Sequence, residues 1–358
     1  MIDLFSEVAK YCDLSIPESH KVPIAIVGAG GIVDGAHLPA YKKAGLHVVG
    51  ITDVDPEKAN DVANRHGIDR VYSSLDELLA DPTPVIIDIA VPAAAQPEIF
   101  LKVANSKKHI LAQKPMATTV AAGLRMAEAV AANEIVAGVN HQLRFEEGMA
   151  AAHKMVELGW IGTVTNMTFH VNLITPWELW PWAKDLERLE IMLHSIHYHD
   201  VMRWFLGNPR QVYCAAGRTN GQFPKGETRT ISTYVYDDGV TGLVHANHIN
   251  RGGDNYAEYR IDGDKGSIRG TMGLLYDYPV GRVDTLEVNS LVVPTDGWTP
   301  YPVTTRWFPD AFMGTMGSVM AAIATGSPVR SSVADNVDTL KLVAALYESM
   351  DSGVAITL

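Results

Sequence analysis

Three groups of residues in this chain have the type and spacing for chemistry. The first is Gly28-Ala29-Gly30-Gly31-Ile32-Val33, a turn that follows the apolar run Val22-Pro23-Ile24-Ala25-Ile26-Val27. Gly28 permits the tight turn and Gly30 the close approach of backbone to a pyrophosphate, whose charge meets the N–H groups of Gly31 and Ile32 at a helix start. The second is Asp53, 25 residues after Gly28, at the end of the run His47 to Thr52. A carboxylate there accepts both adenosine-ribose hydroxyls and repels a 2′-phosphate, so NAD is the expected cofactor and NADP is disfavoured. The third is Lys114, in Ala112-Gln113-Lys114-Pro115 at the end of a short strand pattern. Ligands of open α/β sheets collect at the carboxyl ends of strands, which puts Lys114, and Pro92 after the run Val85 to Val91, near a nicotinamide. A lysine there can hold a substrate oxygen and stabilise the alkoxide character of hydride transfer. Taken singly, the turn also suits an α/β domain without nucleotide, and Lys114 also suits a surface lysine before a turn proline.

These residues need strands and helices in alternation, and the chain supplies them. From Val22 to about Asn140 the patterns run Val48 to Thr52, Pro56 to His66, Leu75 to Leu79, Val85 to Val91, Gln96 to Ala104, His109 to Leu111, Val120 to Ala132 and Ile135 to Val139. Such alternation predicts a doubly wound parallel sheet with helices on both faces. After Asn140 the reading is a helix over Met149 to Leu158, a strand, an aromatic loop, and a helix over Leu189 to Phe205. Strand patterns follow at Val212 to Ala216, Thr230 to Tyr236, Thr241 to Ile249, Tyr256 to Ile261 and Thr285 to Val292, then helices at Ala311 to Ala324 and Asn336 to Met350. The expected fold class is therefore α/β plus α+β: a Rossmann domain over 21–142, then an α+β domain over 143–358 built on an open, mostly antiparallel sheet. Residues 1–20 form an extension in which Leu4, Val8, Tyr11 and Cys12 have helical spacing, as a docking arm or a frayed helix would. The last helix is a candidate to pack back on the Rossmann domain.

Composition bounds the partners. The 358 residues carry a net charge of −12, with acids and bases interspersed and no basic stripe, which argues against nucleic acid and anionic membranes. Cys12 and Cys214 are the two cysteines, too far apart in sequence for a C-x-x-C unit, so free thiols are expected. No apolar run reaches the about 18 residues of a spanning helix, and Met1 to His20 lacks the basic and apolar blocks of a secretory signal, so a cytoplasmic protein is expected.

Five segments in register resemble the Gfo/Idh/MocA oxidoreductases, which include inositol dehydrogenases and glucose–fructose oxidoreductase. They are the glycine turn with His37-Leu38-Pro39-Ala40-Tyr41, Asp53 with Asp55-Pro56-Glu57-Lys58-Ala59, Gln113-Lys114-Pro115, Asn140 with Leu143-Arg144-Phe145, and His197 with Asp200, Arg203-Trp204 and Leu206-Gly207. The resemblance runs through residues 22–358. It implies a Rossmann domain, a C-terminal open-faced sheet that often forms the oligomer interface, and NAD(P)-dependent chemistry on sugars, polyols or their derivatives. Lys114 matches the family's active-site lysine and His197 its usual acid–base histidine. An imidazole suits that role because its pKa near 6.5 lets it take a hydroxyl proton and return it. Two positions depart from the family: Gln113 stands where Glu is common, and Leu193 where many members carry Asp.

His194, three residues before His197 and therefore on nearly the same helix face, is placed to tune or relay its proton. The cluster His194, His197, His199, Asp200 also admits a divalent-metal site, in which the i, i+3 imidazoles chelate with a third ligand from elsewhere, or a hydrogen-bonded histidine cluster; acid–base work is preferred and no metal is assigned. Trp177, Trp180 and Trp182 lie just before this helix and suit either the faces of a pyranose or cyclitol or a plug at an interface. Arg144 and His141 are candidate substrate contacts. In the strand pattern Thr241 to Ile249 side chains alternate, so of His245, Asn247 and His248 at most His245 and Asn247 share a face. The expected activity is NAD-dependent hydride transfer to or from a carbohydrate-like alcohol or ketone, in a homodimer or homotetramer. Two alternatives are a retained-NAD enzyme doing redox-assisted isomerisation or glycoside cleavage, and a non-catalytic NAD-binding sensor.

Overall fold

Isoleucine, valine and alanine make the first strand, Ile24–Val27 (β1), and all four of its residues are buried, as a central parallel strand requires. In the computed structural model, which describes residues 4–358, β1 belongs to a unit formed by Leu14–Phe145 and Phe308–Leu340. Its other strands are Val48–Thr52 (β2), Ile86–Ile89 (β3), His109–Gln113 (β4) and Ala137–Asn140 (β5), paired in parallel in the order β2-β1-β3-β4-β5. Local signals set the helix ends. Asp55 caps Pro56–His66 by accepting the Glu57 and Lys58 N–H groups, and Gly67 ends it at φ 68°. Ser74 and Thr119 cap the helices Leu75–Ala80 and Val120–Asn133 in the same manner.

One face of this sheet is closed by a helix from far along the chain. Phe312, Met316, Val319 and Met320 of Ala311–Thr325 pack in one core with Ile24, Ile26, Ile51 and Leu111. The segment after the glycine turn widens into a π turn over Val33–His37 before tightening over Leu38–Lys43. Val33, at the motif's third small-residue position, is fully buried in that core, and the wider turn accommodates its branched side chain.

The second unit, Met1–Asp13, Glu146–Trp307 and Lys341–Leu358, holds a nine-stranded sheet. Its strands are Val164–Asn172 (β6), Gln211–Gly217 (β7), Arg229–Val235 (β8), Thr241–Asn247 (β9), Tyr256–Gly263 (β10), Gly266–Thr271 (β11), Leu286–Ser290 (β12), Thr299–Tyr301 (β13) and Ile356–Thr357 (β14). The order is β13-β12-β11-β10-β6-β9-β8-β7-β14, antiparallel except for the parallel pair β6–β9. The mostly antiparallel expectation holds; β11, β13 and β14, short or glycine-bounded, carry too little alternation to be read locally. Period-two burial gives the sheet two faces: Thr230, Ser232 and Tyr234 point inward, while Ile231 and Tyr213 stay 47% and 40% exposed. Tyr198 stacks on Phe169 at 5.2 Å to cover the inner face.

The helix Ser6–Cys12 is docked. Val8 and Cys12 are buried, and Phe5 meets Trp160 and Tyr301 at ring distances of 5.9 and 5.3 Å. Nearby, Glu146 caps the helix Glu147–Glu157, its two oxygens accepting the Gly148 and Met149 N–H groups at 2.7 Å each. Burial, the charge of Asp284 and a hydrogen bond with it hold the Glu146 carboxyl well above its usual range. Asp284, buried as well, accepts the Gly273 N–H and is pushed up to about 6, chiefly by burial. The two carboxyl groups therefore share a proton.

Candidate functional site

On the parallel-sheet unit, the loop between β1 and the next helix is shaped by backbone contact. Gly28 sits at φ 110°, and an added Cβ would collide with the Ala90 carbonyl after β3, so only glycine fits. Beyond it the loop opens: a Cβ on Gly30 or Gly31 would meet nothing within 4 Å, the room a pyrophosphate needs above a helix N-terminus. Asp53, one residue past β2, reaches this loop, with Oδ2 accepting the Ala29 N–H at 2.6 Å and Oδ1 the Asp55 N–H at 2.9 Å. Gly28, Gly30, Gly31, Ile32 and Asp53 are thus gathered at the carboxyl ends of β1 and β2, and their donors and acid fit a dinucleotide.

Lys114 follows β4, at a turn clamped from behind. The Gln96 side-chain amide, wholly buried, donates to the carbonyls of Gln113, Pro115 and Met116 at 2.7, 3.2 and 3.0 Å. Gln96 opens a helix whose preceding turn is closed by Ala95 and Gln96 N–H bonds to the Pro92 carbonyl, so Pro92 and Lys114 belong to one braced assembly. Loss of solvent pulls the Lys114 ammonium down to about 8. Sequence reasoning missed Gln96, whose role depends on three carbonyls 17 to 20 residues away.

It also missed Asp88. His37 Nδ1 and the Tyr41 hydroxyl both meet its Oδ2 at 2.7 Å, and Asn140 Nδ2 lies 3.2 Å from His37 Nε2, all in the buried interior. The signal was available: Asp88 is the one charged residue in the run Val85 to Val91, and His37 and Tyr41 are spaced i, i+4 to meet it. Arg144 is buried and bonded within the same unit, to the Arg330 carbonyl at 2.8 Å and to Asp335 Oδ2 at 2.6 Å. His141 is buried behind β5, its N–H donating to the Val139 carbonyl.

The other unit carries the histidines, and here one expectation is corrected. The segment 189–205 is two helices, Glu190–Leu193 and Ile196–Leu206, because the Glu190 carbonyl takes both the His194 and the Ser195 N–H at 2.9 Å. That widened turn places His194 between the helices, at φ −112°, ψ −65°, with the His197 N–H donating to the His194 carbonyl at 3.2 Å. The His197 ring stands edge-on to Trp307 at 5.4 Å, whereas His194 packs on His248 at 4.2 Å and Tyr198 at 5.7 Å. His199 is a buried core residue: Nδ1 meets the Tyr234 hydroxyl at 2.5 Å, and burial draws its pKa down to about 4.

Glu190 is a third group the sequence did not single out. It is wholly buried; Thr230 Oγ1 donates to Oε2 at 2.6 Å, Ser195 Oγ donates to Oε1, and His248 Nε2 lies 3.4 Å from Oε1. Burial alone would raise its pKa, but the hydrogen bond and charge of His248, with His194 and Ser195, bring it down to about 2. His248 Nδ1 meets Thr175 Oγ1 at 2.7 Å, and Trp177 lies 5.4 Å from the His248 ring. Of the tryptophans, Trp177 is buried against Ala183 and Leu189, Trp180 borders that cluster, and Trp182 is 59% exposed. The structure therefore brings Trp177, His194 and His248 together around Glu190, with Lys114 on the other unit.

Comparison with known proteins gives two family matches. Residues 22–141 fit an oxidoreductase family model with an NAD-binding Rossmann fold, and residues 149–269 fit the Gfo/Idh/MocA C-terminal domain. The D-apiose dehydrogenase of Paraburkholderia graminis is 23% identical over 345 residues, spanning 93% of this chain and 89% of its own. Two solved structures share the fold. An oxidoreductase from Agrobacterium radiobacter, in complex with NAD+, L-tartaric acid and magnesium, is 24% identical, with TM-score 0.84 over 94% of this chain and 98% of its own. A levoglucosan dehydrogenase, in complex with NADH and levoglucosan, is 22% identical, with TM-score 0.80 over 94% and 99%. Among the described residues no helix is long and apolar enough to cross a membrane.

Proposed function

Because this chain belongs to the Gfo/Idh/MocA oxidoreductase family, we propose that it is an NAD-dependent dehydrogenase or reductase of a sugar, polyol, cyclitol or sugar-derived ketone. The observation that carries the reading is the nucleotide loop: room over Gly30 and Gly31, and a carboxylate already held at the Ala29 N–H. The activities named for the relatives favour neither a retained-cofactor isomerase nor a sensor.

When bound, NAD supplies the hydride acceptor, and NADH the donor. The chain's own residues do the rest. The Gly30-Gly31-Ile32 N–H groups would hold the pyrophosphate at the helix start, and the remaining lone pairs of Asp53, whose oxygens accept the Ala29 and Asp55 N–H groups, would accept the ribose hydroxyls. Lys114, braced through Gln96, holds the substrate oxygen and offsets negative charge on it. His197 Nε2 or Nδ1 takes the hydroxyl proton in oxidation and returns it in reduction. Trp177, Trp180 and Trp182 are assigned to the sugar face, and His141 and Arg144 to contacts with the substrate. The reading includes residence in the cytoplasm, supported by two buried cysteines that form no disulfide, and a homodimer or homotetramer, supported by Tyr213 and Ile231 on the outer sheet face.

The test is NADH absorbance at 340 nm with either cofactor, scanned over aldoses, inositols, sugar lactones and keto-sugars, with His197→Ala alongside. Turnover on a panel member, lost in the variant, is expected. NAD binding with no turnover on any panel member overturns the dehydrogenase reading.

A further inference from the structure

Glu190, His194 and His248 each offer a ligand atom, and these atoms all lie within 4.8 Å of one another. Glu190 and His194 are one helical turn apart in sequence, and His248 is delivered by the residue after β9. We propose that these three side chains form a site for one divalent cation of the zinc and cobalt class, bound by two imidazoles and one carboxylate with a fourth position left for water or another oxygen ligand. Two ligands at about 2.0–2.1 Å from a tetrahedral zinc stand about 3.4 Å apart. The Glu190 Oε1 to His248 Nε2 separation, a long hydrogen bond at 3.4 Å, also matches one edge of that tetrahedron.

The outer contacts are those a metal site needs. Thr175 Oγ1, 2.7 Å from His248 Nδ1, orients the ring so that Nε2 faces Glu190, and Thr230 holds the carboxylate's far oxygen at 2.6 Å. Glu190 and His248 are fully buried while His194 is half-buried, so the cluster has an open side at His194. One carboxylate and two neutral imidazoles leave a divalent ion with net positive charge, which favours an oxygen donor at the fourth position. The ligand set differs from one built on His194 with His197: the helix break turns His194 toward Glu190 and His248, and His197 toward Trp307. The inference concerns cation binding and stands whether or not the chain is a dehydrogenase.

The experiment uses the full, untagged chain, stripped with a chelator and passed through a desalting column. Co2+ is titrated and followed by its visible ligand-field bands, and Zn2+ is then added in competition, with metal per chain counted by mass spectrometry. One equivalent of Co2+ with four- or five-coordinate bands, displaced by Zn2+, is expected. Glu190→Gln and His248→Asn should each weaken Co2+ binding by at least about tenfold, on the scale of a lost metal contact, and His197→Ala should leave it unchanged. Circular dichroism of the stripped variants checks their folding; if Glu190→Gln fails it, His194→Asn, at the half-buried position, takes its place. No retained equivalent, or binding that survives His248→Asn, or binding lost with His197→Ala, overturns the proposal.

Discussion

Asp284→Asn should stabilise the β-sheet unit at pH 8 and change little at pH 4. Asp284 titrates at about 6 in the folded chain because burial disfavours its charge, against about 3.9 unfolded. The sign follows from linkage. A folded pKa above the unfolded one means the native state holds the proton more tightly, so this contribution to stability is complete below about pH 4 and lost as pH rises through 6. A difference of about two units at 1.36 kcal/mol each makes the loss about 3 kcal/mol by pH 8. Asparagine keeps a carbonyl oxygen for the Gly273 N–H and presents an amide donor to Glu146 in place of the shared proton. The expected gain is about 1–3 kcal/mol at pH 8, or several degrees in Tm for a unit of this size. All seven tryptophans lie between Trp160 and Trp307, inside this unit, so thermal and urea unfolding by tryptophan fluorescence reports on it alone. The decisive comparison is the difference between variant and native protein at pH 4 and pH 8. Parallel pH profiles, or a destabilisation as large at pH 8 as at pH 4, would refute the shared-proton argument.

Lys114 titrates at about 8, and a substrate oxygen needs its ammonium form, so kcat/KM should fall as pH rises through 8. Lys114→Arg should move that limb to higher pH in whatever activity remains, and Lys114→Met should abolish the limb; an unchanged profile in either variant counts against the assignment. Asp53→Ser should lower the preference for NAD over NADP by at least about tenfold, since a 2′-phosphate near a carboxylate at an effective dielectric of about 20 meets a repulsion of a few kcal/mol. The ratio of kcat/KM values for the two cofactors measures it. Gln96→Leu strands the carbonyls of Gln113, Pro115 and Met116, each costing about 1–3 kcal/mol, and should lower both the Tm of the nucleotide-binding unit and kcat. A lowered Tm with native kcat would confine Gln96 to stability.

Some of this molecule is written in neighbouring residues. The strand, glycine turn, helix and terminal acid from Val22 to Asp53 are legible because each signal acts within a few residues: the apolar run, the φ 110° that only Gly28 tolerates, and the acid one residue past the second strand. Alternation of periods two and 3.6 distinguishes the parallel sheet from the antiparallel one for the same reason. Pairing between distant segments is another matter. The parallel β6–β9 register, with His170 opposite His245, and the edge strand β14 are chosen by the sheet as a whole. Asp88 finds His37 only once β3 lies beside β1, and Gln96 finds the Lys114 turn only once its helix packs behind β4. The histidines make the point most sharply. Spacing alone predicts one helix with His194 above His197, yet a shared Glu190 carbonyl breaks it, and His194 turns to a partner 54 residues away, His248. The sequence determines which groups can do chemistry because residue type is local; tertiary structure decides which of them meet, because contact energy is gained only when the chain closes on itself.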